Sequence, residues 1–139
     1  MLVDTGAWYA VADRSDRHHQ KARKFYLSEA GRGRLVTTDL IVAETWTLLS
    51  AHLGRPAALK FWSALRGTRV PILTLDPVDL EAAWRIAEAF PDQTFSFTDC
   101  ASFAIMERLG VADAFAFDRH FLVYRFGPRR DRAFQCWPR

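Results

Sequence analysis

The sequence predicts an α/β protein with a mostly parallel sheet, and three observations carry that expectation. Short apolar runs of β character (Leu2-Val3, Leu35-Val36-Thr37, Val70 to Leu75 and Ala114 to Phe117) alternate with longer stretches of helical period. Capping and breaking residues (Gly31, Gly54-Arg55-Pro56, Pro91, Gly110) separate these stretches. The chain has 139 residues, 50% of them apolar with 11 Phe and 5 Trp, which is enough for one sizeable core and a single domain spanning 1–139.

The elements follow in order. Leu2-Val3 is a first strand, and Ala7 to Ala12 a short helix. His19 to Ala30 is a second helix, with Ala22, Phe25, Tyr26 and Glu29 at helical spacing, closed by Gly31-Arg32-Gly33. After the strand Leu35 to Thr37, Asp39 caps a helix to about His52. Gly54-Arg55-Pro56 turns it into another, Ala57 to Leu65, so the two form a hairpin. Asp76-Pro77 opens a helix to Phe90 whose buried stripe is predicted as Leu80, Ala83, Trp84 and Ala87. Ser96-Phe97-Thr98-Asp99 has the form of a capping box before Cys100 to Leu109, and Ala133 to Trp137 is a candidate edge strand.

Composition excludes several classes. No apolar run approaches the ~20 residues of a bilayer span, so a soluble, cytoplasmic protein is expected. Cys100 and Cys136 lack metal-ligand or disulfide-framework spacing and read as reduced thiols. The net charge is only +3, but Arg119, Arg125, Arg129, Arg130, Arg132 and Arg139 face the single acid Asp131 at the C-terminal end. Such a basic end suits a polyanion, and Arg125, Arg129, Arg130 and Arg132 are candidate nucleic-acid contacts; a solvated face is the plainer alternative.

The chemistry lies in four acids. Asp4 ends the first strand, Asp118 follows Ala116-Phe117, Asp99 opens a helix, and Glu44 is the only charged side chain between Asp39 and His52. Each aspartate alone is a plausible helix cap. Together, Asp4 and Asp118 stand at the carboxyl ends of strands, where open α/β sheets build their sites, and Asp99 starts the helix leading to the strand before Asp118. Clustered carboxylates repel one another and resist desolvation, so the set points to divalent cations and metal-dependent phosphoryl transfer. Thr5, Ser96 and Thr98 are more simply read as caps, and His18, His19 and His120 as solvated residues.

Val3-Asp4-Thr5, Ala43-Glu44-Thr45, Phe97-Thr98-Asp99-Cys100-Ala101-Ser102-Phe103 and Phe117-Asp118-Arg119-His120-Phe121 resemble the ordered motifs of PIN-domain proteins, specifically the VapC-type ribonuclease toxins of prokaryotic toxin–antitoxin modules. The resemblance covers essentially the whole chain. It implies a three-layer α/β/α fold with about five strands in the order 3-2-1-4-5, and an Mg²⁺ or Mn²⁺ site. Asp4 and Asp99 would be principal ligands, with Glu44 and Asp118 completing the site directly or through water. It further implies endoribonuclease activity, a cognate antitoxin and a homodimer. Two alternatives stand beside it: a catalytically silent PIN-like RNA-binding module, which would normally have lost an acid, and a receiver-like signalling domain. The latter needs a Lys after a later strand, and Lys21, Lys24 and Lys60 are not so placed.

Overall fold

A computed structural model describes residues 1–139. Five short strands, β1 (Leu2–Val3), β2 (Thr37–Thr38), β3 (Ile72–Leu73), β4 (Asp113–Phe115) and β5 (Gln135–Trp137), alternate with seven helices. These are α1 (Thr5–Ala12), α2 (His19–Ala30), α3 (Asp39–Leu53), α4 (Arg55–Arg66), α5 (Pro77–Ala89), α6 (Phe97–Leu109) and α7 (His120–Val123).

All strand pairs are parallel: β1 with β4, β4 with β5, and β2 with β3. The expected single sheet is nevertheless two ladders, β1-β4-β5 and β2-β3. They meet at one parallel bridge, Leu2 with Val36, where Val3 N–H donates to Val36 O (2.8 Å) and Val36 N–H to Met1 O (3.0 Å). Read across that bridge the order is 3-2-1-4-5. The break has a local cause: Thr38 ends β2 and already caps α3, its Oγ1 accepting Ile41 N–H at 3.2 Å, so the chain turns helical before the ladder extends.

Caps also move the helix starts. Asp4 accepts Gly6 N–H at 3.1 Å, which begins α1 at Thr5 rather than Ala7. Ser96 and Asp99 form a reciprocal capping box that begins α6 at Phe97, and Gly110 ends it at φ 65°. The third strand is shorter than Val70 to Leu75, because only Ile72 and Leu73 find partners on β2.

The stripe predicted for α5 is half wrong. Ala83 is fully buried, but Leu80 and Trp84 are 40% and 55% exposed, and the inward face instead carries Asp79. Arg108 of α6 grips Asp79 with two hydrogen bonds, Nε to Oδ1 at 2.6 Å and Nη2 to Oδ2 at 2.9 Å. This bidentate pair holds the Asp79 carboxyl below the usual range and sets the rotation of α5. Leu80 and Trp84 are thereby turned to the surface.

The main core gathers residues from the sheets and from α1 to α4, α6 and α7. Phe103 is its aromatic hub, stacked on Tyr124 (4.4 Å, 10°) and meeting Phe121 edge-on at 5.1 Å. A buried polar link runs through it: Trp8 Nε1 donates to Thr37 Oγ1 and Thr37 Oγ1 to Val3 O, both at 3.1 Å. That link ties α1, β2 and β1 at the level of Asp4. Because Phe103 has no exposed surface, Phe103→Ala should cost about 3–5 kcal/mol through lost burial and a cavity. Urea unfolding measures this, and a loss below about 1 kcal/mol would mean that Phe103 is not the hub.

Candidate active site

Strand pairing brings the first two acids together. Asp4 N–H donates to Phe115 O at 3.0 Å, the last rung between β1 and β4, and both chains then leave the sheet on the same side. Asp118 follows three positions beyond Phe115, in a turn closed by its own Oδ1 accepting His120 N–H at 3.0 Å. Asp99 enters from α6. Its backbone N–H donates to Ser96 Oγ (3.0 Å), while its Oδ2 accepts Ser96 N–H and His120 Nδ1, each at 2.8 Å. Capping and clustering of these aspartates are therefore compatible, since the same turns that cap also fix where the carboxylates point.

Asp99, Asp118 and His120 each offer a ligand atom within 4.8 Å of the others. Asp4 lies against this group: it is 3% exposed, and burial first, then the charges of Asp118 and Asp99, push its pKa well above the ordinary carboxyl range. Asp118 is also raised, by burial first and Asp99 second, although His120 N–H and Asp4 partly offset this. Desolvation thus exceeds the mutual repulsion anticipated from the sequence. The same field, behind its own burial, helps lift Cys136 to about 11, which leaves that thiol protonated and unreactive.

The donor set fits a hard divalent cation. No Lys or Arg pairs with Asp4, Asp99 or Asp118, since the ion pairs engage other acids and His120 is the one basic partner. Thr5 Oγ1, beside Asp4, is buried with no hydrogen-bond partner. Asp99 Oδ1 likewise has no protein partner, because both hydrogen bonds fall on Oδ2.

Glu44 lies outside the close group. It is half-buried on α3, next to the fully buried Thr45 but not on that stripe, and forms no ion pair. Its helical face repeats at Leu48 and His52, which line a cavity shared with Gly6 and Asp118, but Glu44 itself does not line that cavity. The four arginines are largely engaged elsewhere. Arg125 Nη1 donates to Leu122, Val123 and Tyr124 carbonyls at the end of α7, Arg130 stacks over Phe90 (5.2 Å), and Arg132 over Phe126 (4.9 Å). Arg129 is exposed without such a partner.

His120, which the sequence reading takes as solvated, instead lies against Asp99 and Asp118. Its signal was the two-residue spacing from Asp118, which allows the Asp118 turn to fold the imidazole back onto Asp99. A neighbouring carboxylate accepts, so Nδ1 carries the hydrogen.

The fold and this acidic cleft define the class: the PIN domain family matches residues 1–127, and the chain belongs to it. Within the family it stands with the VapC-type ribonuclease toxins. It is 33% identical over 127 residues, 91% of this chain and 95% of the other, to the 23S rRNA-specific endonuclease VapC20 of Mycobacterium tuberculosis. The crystal structure of VapC20, described as a Sarcin-Ricin loop cleaving toxin, superposes with a TM-score of 0.79 at 30% identity over 85% of this chain and 89% of that one. A Pyrobaculum aerophilum structure, 21% identical with a TM-score of 0.57 over 97% of this chain and 87% of its own, shares the fold.

The raised carboxyls make stability depend on pH in a defined direction. A folded-state pKa above the unfolded value of about 3.9 means that the native state binds the proton more tightly. Metal-free protein should therefore gain stability as pH falls from neutral through the raised values of Asp4 and Asp118 toward about 4. Asp118→Asn, which keeps an acceptor for His120 N–H, should raise the metal-free melting temperature at pH 7 and flatten the pH dependence. A lower melting temperature for Asp118→Asn at pH 7 would show that the carboxylate charge stabilises the metal-free fold.

Proposed function

We propose that the chain is an Mg²⁺- or Mn²⁺-dependent endoribonuclease, the toxin of a type II toxin–antitoxin module. The observation that carries this reading is the convergence of Asp4, Asp99 and Asp118 at the ends of β1 and β4 and the start of α6, with no Lys or Arg to neutralise them. Asp4, Asp99 and Asp118 would hold the cation, and Glu44 would reach it through water. When bound, the cation supplies Lewis acidity at the phosphate oxygens and activates the attacking water. Ser96 N–H and His120 Nδ1 fix Asp99 through Oδ2 and leave Oδ1 toward the cleft. Asp118, which borders both the acidic group and the neighbouring cavity, is the carboxylate suited to take a proton from the water. Arg129, free of protein partners, is the first of the four arginines to consider for the RNA backbone.

The relative's activity on 23S rRNA suggests an exposed loop of structured RNA as substrate. A catalytically silent RNA-binding module is the weaker reading, since none of the four acids has been lost. For partners, a groove of about 320 Å³ between α1, α2 and α4 has an apolar floor of Trp8, Tyr26 and Phe61 and a basic rim of Arg14, Arg23 and Lys60. That chemistry suits an amphipathic acidic segment of an antitoxin. Leu80 and Trp84, left outside on α5, suit a homodimer contact. No helix is long and apolar enough to cross a membrane, and the proposed module acts in the cytoplasm.

Purified protein should cleave RNA with Mg²⁺ or Mn²⁺ and stop in excess chelator. Asp99→Asn should reduce the rate at least 100-fold, the order of loss expected when an electrostatic catalytic element is removed, while circular dichroism stays unchanged. Cleavage that persists in chelator, by protein free of contaminating nuclease, overturns the metal mechanism.

A further inference from the structure

Beside the acidic group lies a second cavity, of about 330 Å³, whose wall includes Gly6 and Asp118. Four of its other lining residues carry rings, His18, Phe117, Tyr9 and His52, and Asp16, Arg17 and Leu48 complete it. Two of the four histidines thus flank the cleft, and neither belongs to the metal site.

The rings are held in place before any ligand arrives. His18 lies flat against Phe117, centroids 4.4 Å apart and planes 9° from parallel. Its Nε2 accepts Arg17 Nε–H at 3.0 Å, and its backbone N–H donates to Asp16 Oδ1 at 2.7 Å. From α1 and α3, Tyr9 and His52 meet edge to face at 5.7 Å and 81°, with the Tyr9 hydroxyl 3.3 Å from His52 Nδ1. These side chains come from α1, the loop after it, α3 and the segment after β4, so only the tertiary fold assembles them.

Flat, pre-ordered, half-exposed rings next to a phosphate-processing group are the surface on which a nucleobase stacks, and Arg17 supplies a cation for the adjoining phosphate. A paired base inside a duplex presents only its edges and cannot enter. We propose that this cavity is a base-stacking subsite for an unpaired nucleotide flanking the scissile phosphate, with His18 on Phe117 as its platform. The proposal rests on the endoribonuclease reading for its location but not for its test.

The test uses full-length protein carrying Asp99→Asn in Mg²⁺, and a twelve-nucleotide single-stranded RNA with 2-aminopurine placed at successive positions. Stacking should quench 2-aminopurine at one or two positions. His18→Ala should remove the quench and weaken binding about tenfold, in keeping with the loss of one base–aromatic stack. His18→Tyr, which keeps a ring, should restore both. Arg17→Ala should weaken binding and lower its salt dependence by about 0.7 in log–log slope while leaving the quench, because Phe117 still backs the His18 ring. Annealing the probe to its complement should abolish the quench. Absence of quench at every position, an undiminished quench in His18→Ala, or an equal quench in the duplex each overturns the proposal. Cleavage by wild-type protein is scored separately: quench without Mg²⁺-dependent cleavage refutes the endoribonuclease reading and leaves the subsite standing, whereas cleavage with an unchanged His18→Ala refutes the subsite alone.

Discussion

The parallel pairing of β1 with β4 is the constraint on which the rest depends. Two strands of two and three residues make few rungs, yet the last of them, Asp4 N–H to Phe115 O, forces the chain ends carrying Asp4 and Asp118 out on one side of the sheet. Strands this short cannot hold themselves together, and the surrounding helices supply the burial that does. The Trp8-Thr37-Val3 link and the Phe103 aromatic hub therefore matter to the site, because they fix the backbone from which the carboxylates hang.

That arrangement confronts an electrostatic cost. Asp4 is taken almost wholly out of water, and Asp118 and Asp99 add like charge beside it. Elsewhere the fold settles such costs internally: Asp79 meets Arg108 in a bidentate pair, and buried Glu29 meets Arg32 and Arg34. At the cleft no such partner is provided. Backbone N–H groups of helix starts and His120 orient the carboxylates without neutralising them by a Lys or Arg, and this asymmetry separates a site from a structural ion pair.

The surface divides in a way that suits the proposed activity. The acidic group and the ring-lined cavity share Asp118 and adjoin at Gly6, whose N–H donates to Asp4, whereas the apolar groove between α1, α2 and α4 has no lining residue in common with that cavity. Helix α1 contributes to both, with Tyr9 toward the cleft and Val11 and Ala12 toward the groove.

The α/β class, the parallel pairing and most helix boundaries were legible from the sequence, because they rest on local signals: apolar period, caps and breakers; of the four acids singled out there, Asp4, Asp99 and Asp118 lie together and Glu44 lies apart. Ser96 and Asp99 announced their capping box, and Asp4 its place after a strand. The α5 stripe was misread for a physical reason: an apolar period identifies a face, but the long-range pairing of Asp79 with Arg108 chose which face turned inward. The same holds at the site. That Glu44 stays outside the close group, that Arg130 lies over Phe90 and that His120 reaches Asp99 across 21 positions follow from packing between residues distant in sequence. Local sequence marks these acids by their charge in apolar surroundings, but which of them meet is set by strand pairing and helix packing, because distances in the fold do not follow spacing along the chain.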